Sequence, residues 1–461
     1  MSKRAFVLSV CTAATLLATA ANASAANLWV SSTTPVSSPH SSCVHPGYST
    51  IQSAINFVTK PPVAPGSSIH VCPGTYTEQL TITEPLKLIA VDGAGSAKVV
   101  LPTKPADSTT KCDEASLAGL KAQAEAEQKK PISEEELQPD QDEVSVCTEG
   151  TVGVTGLTFE AKWPGSTCYD SLYGILVAGG ATLVASNVSV DGGGAFPING
   201  CQGGIGIQVG MAWSQPVEAG HATLSHDAIS EYQKNGITVD GTESSAKIST
   251  TTVAGAGATP AIAQNGIQVS NGAKATIQSS TISGNECDAS SCGANAFSET
   301  QATGVLFYGA ANGSKVISST LKENDIGAYF VSSNPTQPHT PEVTISQDEM
   351  NADRYEGVAL DQGDASVKSD TIVGPGNIGI ELFQYVGAVG FEGPEGPTLQ
   401  QYAPTSSASG DTIEGMSGAA VEVQSDKAPG DHSGSFTIAN SSFLKDAQAL
   451  DDESSTFNVV L

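Results

Sequence analysis

One phrase, glycine then apolar, any, apolar, returns along the chain at intervals too regular for chance. It reads Gly236-Ile237-Thr238-Val239, Gly266-Ile267-Gln268-Val269, Gly304-Val305-Leu306-Phe307, Gly357-Val358-Ala359-Leu360 and Gly379-Ile380-Glu381-Leu382, with the same opening at Gly174, Gly206 and Gly327 and a looser copy near Gly418. A second alternating strand follows each phrase, as in Ala246-Lys247-Ile248-Ser249 and Ala275-Thr276-Ile277-Gln278. The shortest steps between leading glycines, Gly304 to Gly327 and Gly357 to Gly379, define a bare coil, and the longer ones a coil plus a loop. A unit this small cannot bury its apolar face alone, so copies must stack. Alternation then sends Ile, Val and Leu inward and Thr, Ser, Gln and Asp outward, with backbone groups bonding to the coils above and below. The expected fold is therefore all-β, a parallel β-helix. Asn235-Gly236, Asn265-Gly266 and Asn271-Gly272 read as turns with positive φ.

Residues 1–25 carry Lys3 and Arg4, an apolar run and Ala23-Ser24-Ala25, the pattern of a secretory signal peptide. The remainder, 26–461, reads as one solenoid domain. Of nine cysteines, Cys11 lies in the leader, and the eight left favour disulfides in an exported chain. Proximity suggests Cys43 with Cys72, Cys112 with Cys147, Cys168 with Cys201 and Cys287 with Cys292. No C-x2-C pair repeats at zinc spacing, and His221, His226 and Met211 are unevenly placed for copper, so no metal site is expected. A formal net charge of −28 argues against nucleic acid and anionic membranes as partners. No stretch after the leader is long and apolar enough to insert in a membrane. A secreted protein, extracellular or periplasmic, is the expectation. Residues 103–146 interrupt the repeat and read as a solvated, charge-dense excursion with a helix over 115–130.

At the front of the mature chain, Gly47-Tyr48-Ser49-Thr50-Ile51-Gln52-Ser53-Ala54-Ile55 has the spacing of a short capping helix, with Thr50, Ile51, Ala54, Ile55 and Val58 on one face. Ile69-His70-Val71-Cys72-Pro73-Gly74-Thr75-Tyr76-Thr77-Glu78, Leu80-Thr81-Ile82 and Leu86-Lys87-Leu88-Ile89 follow it. This opening resembles that of pectin-lyase-like right-handed parallel β-helix proteins, among them pectinesterases and the periplasmic β-helix proteins of nitrous-oxide reductase maturation. The resemblance implies a right-handed β-helix. It brings no catalytic residue with it. The Asp-Phe-Ile-Phe-Gly and Gly-Arg-Pro-Trp phrases of pectinesterases are missing, as are the Asn-Thr-Asp, Asp-Asp, Gly-His-Gly and Arg-x-Lys phrases of polygalacturonases. Pectate lyases use an arginine base with calcium. After the leader the single arginine is Arg354, in Asp353-Arg354-Tyr355, without the surroundings of such a base.

Loops that lengthen at recurring coil positions should align into ridges bordering a groove. If the leading strand is its floor, alternation turns outward Gln208, Thr238, Asp240, Gln268, Tyr308, Tyr329, Asp361, Glu381, Phe383 and Glu422. Aromatics beside carboxylates suit sugars, because ring faces stack on C–H surfaces while carboxylates accept hydroxyl hydrogen bonds. Asp240, Tyr308, Tyr329, Phe383 and Glu422 are thus the candidate substrate-binding residues. Asp361 and Glu381, on adjacent coils and one outward position apart, would lie about 8 Å from each other, within the range of an inverting glycosidase pair.

Three functions follow. The first is binding or organising an extracellular polysaccharide or envelope glycan without catalysis and without a cofactor. The second is glycan cleavage, by hydrolysis with Asp361 as general base and Glu381 as general acid, or by a lyase reaction through Arg354 with calcium. The third is a structural or adhesive surface role.

Overall fold

The computed structural model describes residues 25–60, 66–106, 110–128, 141–163, 172–290, 292, 301–332, 343–351, 353–361, 363–384, 405–425, 435–452 and 458–460. The signal-peptide reading of 1–25 falls almost wholly outside them, as does Cys168. Three parallel sheets run the length of the molecule. In chain order each coil contributes a strand to sheet C, then sheet A, then sheet B, as in Asn235–Asp240, Ser245–Ser249 and Thr252–Thr259. Sheet A has 14 strands, and sheets B and C have 12 each among the described residues. Successive phrases are neighbouring rungs: Ile237 pairs with Ile267 and Val239 with Val269. The chain is a right-handed parallel β-helix, the hand nearly all parallel crossovers take.

The interior is three sets of stacked columns. One runs Val239, Val269, Phe307, Phe330, Leu360, Leu382, Val423 on sheet C. Another runs Ile248, Ile277, Val316, Ile345, Val367 on sheet A. A third runs Val253, Ile282, Leu321, Met350, Ile372, Ile413 on sheet B. All are buried. Each residue stands on its equivalent in the next rung, so like packs on like and the apolar period fixes the register.

The leading glycine is where the sequence reading needs correction. Gly236 and Gly266 lie inside strands and have no positive φ, and only Asn271-Gly272 is a left-handed turn, at φ 53° and 82°. A Cβ on Gly236 would stand 2.7 Å from the Gly266 carbonyl oxygen and 2.5 Å from Val253 Cγ1. The glycine is required by close approach between rungs, not by a reversal. The left-handed positions fall instead at the tight corner between sheets A and B, at Thr250, Ser279, Ser318, Gln347 and Ser369 in consecutive coils. Side chains just beyond them tie one coil to the next. Ser319 N donates to Asp348 Oδ1, Asp348 N to Asp370 Oδ1 and Asp370 N to Asp411 Oδ1. At the corner between sheets B and C, Asn285 Nδ2 donates to Asn324 Oδ1 (2.9 Å) and Asn324 Nδ2 to Asp353 Oδ1 (3.0 Å).

The first helix, α1 (Ile51–Val58), begins at Thr50, whose Oγ1 accepts from Ser53 N. Glu78 accepts from the N–H groups of Ile51 and Gln52, satisfying donors a helix start leaves free. Its buried Ile51, Ala54, Ile55 and Val58 close the first rung of the core, as the spacing predicts. The disulfides Cys43–Cys72, Cys112–Cys147 and Cys287–Cys292 form as expected, and Cys201 is disulfide-bonded as well.

The interruption differs from expectation twice. Residues 141–147 are a rung of sheet C rather than part of an excursion, pairing with Leu172–Ala178. The helix α2 (Lys111–Gln128) is not merely solvated, because its first half lies against the loop that follows Val209. Gln215 N donates to Ala115 O (2.8 Å), and Trp213 Nε1 to Ser116 Oγ (3.3 Å). Cys112, Cys147, Tyr173, Leu176, Ala178 and Met211 make a small second core outside the solenoid. α2 therefore roofs the outer face of sheet C in the early coils. Among the described residues no helix is long and apolar enough to cross a membrane.

Candidate functional site

The outer face of sheet C changes character along the axis. In the middle coils it is a closed amide and hydroxyl network. Asn265 Nδ2 donates to Asn235 Oδ1 (3.1 Å), Thr303 Oγ1 to Asn265 Oδ1 (2.7 Å), and Asn235 Nδ2 to Thr238 Oγ1 (3.0 Å) and Gln268 Oε1 (3.1 Å). Asp240 belongs here. Its Oδ1 accepts from Ser270 Oγ and Asn271 Nδ2, each at 2.7 Å, and its Oδ2 from Ala212 N at 2.8 Å. It is buried and staples a loop, four rungs from Asp361 in the same column.

In the late coils the network gives way to rings and carboxyl groups. Three outward columns can be followed. The first passes through Thr303, Ile326, Glu356 and Ile378. The second passes through Tyr329, Ala359, Glu381 and Glu422. The third passes through Tyr308, Val331, Asp361, Phe383 and Gln424. The register thus brings together Tyr308, Tyr329, Asp361, Glu381, Phe383 and Glu422, all named from the sequence, and leaves Asp240 apart. Asp361 and Glu381 sit diagonally, one rung and two residues apart, about 8 Å between backbones.

Glu356 joins them and was not foreseen. It is fully buried, and its carboxyl group lies beside that of Glu381, itself only 2% exposed. Burial, then the charges of Glu422 and Asp361, pushes Glu381 above the usual carboxylate range. Burial alone carries Asp361 up to about 7. Its Oδ1 is shielded from solvent with no hydrogen-bond partner among the described residues. The Tyr329 phenol is raised by burial and by Asp361, Glu356, Glu381 and Tyr308, and packs with Ile326 and Ala359. Gln424 Nε2 donates to Glu422 Oε1. The result is a cluster of carboxyl groups in which Asp361 and Glu381 keep their protons to higher pH than exposed carboxyl groups do. Neutral carboxyl groups donate as well as accept hydrogen bonds, as sugar hydroxyls do.

The expected open groove is only partly there. Glu356 and Glu381 are covered, whereas Tyr308, Asp361, Phe383, Glu422 and Gln424 are part exposed. What is accessible is a strip along the third column, with the buried pair behind it. Arg354 lies at the corner between sheets B and C. One terminal nitrogen, Nη2, is 2.8 Å from Asp325 Oδ1 and also donates to the Cys287 carbonyl, and the guanidinium stacks on Tyr355 at 4.7 Å. That guanidinium already serves as a clamp between coils. Among the described residues no group of three or more His, Cys, Asp or Glu is arranged to hold a metal ion.

No protein-family model and no curated protein sequence matches the chain. Solved structures do. The catalytic domain of a GH87 α-1,3-glucanase in complex with tetrasaccharides aligns with a TM-score of 0.52 at 10% identity, over 89% of this chain and 66% of that one. The mannuronan C-5 epimerase A-module of Azotobacter vinelandii aligns at 0.49 and 12% identity, over 89% and 94%. The Dettilon tailspike protein aligns at 0.49 and 14% identity, over 88% and 66%. The chain thus spans just under two thirds of the glucanase domain it matches. Identity this low carries the fold and none of the chemistry. In fold, the chain belongs with the right-handed parallel β-helix proteins of the pectin-lyase-like type.

Proposed function

We propose that the protein binds a hydroxyl-rich glycan along the late coils of sheet C and holds it without cleaving it. The observation that carries this reading is the strip of Tyr308, Asp361, Phe383 and Gln424 on one column, with Glu422 beside it. Five rungs at about 4.8 Å make a linear track roughly 19 Å long, suited to a few sugar residues in a row. Phe383 and Tyr308 offer ring faces, and the carboxyl and amide groups offer hydrogen bonds of both directions. The disulfides support a secreted protein, for which an extracellular or envelope glycan is the fitting partner. No cofactor is needed for this role.

A second reading, hydrolysis with Asp361 as general base and Glu381 as general acid, draws support from their raised affinity for protons. Against it stands the burial of Glu381, which keeps the acid away from a glycosidic oxygen. A lyase reaction would need Arg354 released from Asp325. Binding to a panel of insoluble plant and microbial polysaccharides, with reducing ends and unsaturated products monitored, tests these readings. Retention without product is expected. Phe383→Ala should weaken retention roughly tenfold through the lost stacking surface. Product that disappears in Asp361→Asn would replace the binding reading with the hydrolytic one.

A further inference from the structure

Sheet A carries a charge pattern opposite to that of the whole molecule. None of its 14 strands contains an Asp or Glu, in a chain with 48 of them. Its outward positions are mainly Ser and Thr with five lysines, Lys87, Lys247, Lys274, Lys315 and Lys368. Among the described residues none of the five forms an ion pair. Four of them fall within five successive rungs. Lys247, Thr276, Lys315 and Thr344 follow one another on a single column, while Lys274 and Lys368 stand on the columns to either side. The corner that borders this face toward sheet B does hold acids, Asp227, Asp348, Asp370 and Asp411. They are buried, turned onto the backbone of the neighbouring coil and pushed toward the neutral form by burial. Nearer the start of the helix the same face hollows into a groove of about 680 Å³, where Lys87 stands beside Ile89 and Val184.

We propose that the outer face of sheet A docks an anionic glycan, a chain of carboxylated pyranoses lying along the helix axis with its carboxylates on Lys247, Lys274, Lys315 and Lys368. The rung spacing of about 4.8 Å is close to the length of one pyranose residue, so Lys247, Lys315 and Lys368, on the first, third and fifth of these rungs, meet alternate sugars of a ribbon-like chain, with Lys274 on the second rung at its flank. Ser and Thr on the rungs between supply hydrogen bonds to hydroxyls. A nucleic-acid duplex presents a charge every ~1.7 Å and would leave most of its phosphates unmatched by four lysines. The net charge of −28 does not forbid the contact, because at physiological salt only charges within about 8 Å of the ligand are felt strongly. This surface is separate from the carboxyl-lined strip on sheet C, and the two would let one molecule hold two glycans of different charge.

The test uses the mature chain and two probes that share a backbone, sodium polygalacturonate and its fully methyl-esterified form, with binding followed by biolayer interferometry. Wild type should bind the acid form and lose it as salt approaches 1 M, and bind the ester at least tenfold more weakly. Lys247→Glu with Lys315→Glu should abolish binding of the acid form. Lys247→Gln with Lys315→Gln should reduce it several-fold, and Lys322→Glu, on sheet B, should leave it within twofold. Unchanged circular dichroism and melting would show the variants folded. Phe383→Ala should leave polygalacturonate binding intact, so failure of the strip on sheet C and failure of this face are read separately. The proposal is overturned if acid and ester bind alike or if the double Lys→Glu variant binds as wild type does. Binding of duplex DNA or phosphatidylserine vesicles in preference to polygalacturonate would overturn it too.

Discussion

The middle and late coils of sheet C share backbone, register and apolar core, yet their outer faces solve the burial of polar groups in opposite ways. Between Asn235 and Thr303 amides and hydroxyls bond to one another within a rung or one rung away, and the carboxyl group among them, Asp240, is held by Ser270, Asn271 and Ala212. Between Tyr329 and Glu422 carboxyl groups are buried beside one another and respond by holding protons. In the first arrangement the ladder of amides and hydroxyls is a clamp, indifferent to pH. The second stores titratable groups at positions a stability-optimised sheet would give to amides, the kind of local inconsistency that marks a working surface.

Asn265→Leu should break the clamp most severely, stranding Asn235 Oδ1 and the Thr303 hydroxyl, at a cost of about 3 kcal/mol that urea unfolding would find the same at pH 5.5 and 8.5. Asp361→Asn should behave in the opposite sense and depend on pH. Because the folded pKa of Asp361, about 7, lies above its unfolded value, the wild-type carboxyl contributes stability at acid pH that is lost as pH rises through 7. The asparagine variant should therefore match wild type near pH 4 and exceed it by on the order of 2 kcal/mol at pH 8.5. Asp348 and Asp370, raised by burial to about 7 and about 8, drive the same decline of wild type with pH and remain in the variant, so the difference between the two curves isolates the site. Tyr329→Phe should have the smallest effect, about 1 kcal/mol or less, measured by the same unfolding curves.

Much of this surface was legible in the sequence. The repeating phrase fixed which residues stack, and two-residue alternation placed Asp361, Glu381, Phe383 and Glu422 on one face. Glu356 escaped because it directly precedes the leading glycine. Reading Asn235-Gly236 as a turn removed that column from the sheet, when the glycine is a point of close approach inside the strand. Whether the floor is open could not be read at all, since covering depends on segments far along the chain, as α2 does when it roofs the early coils. The acid-free face of sheet A was visible only once strands were sorted by sheet, because its lysines are separated by dozens of residues.

The account turns on the late-coil carboxyl groups being neutral donors to a bound glycan, and the pH dependence of that binding tests it most directly. With a ligand taken from the polysaccharide panel, affinity should be constant below pH 6 and fall as pH rises through 7. In Asp361→Asn the affinity should stay level across the range. Affinity that rises with pH, or that falls identically in wild type and Asp361→Asn, would contradict the account.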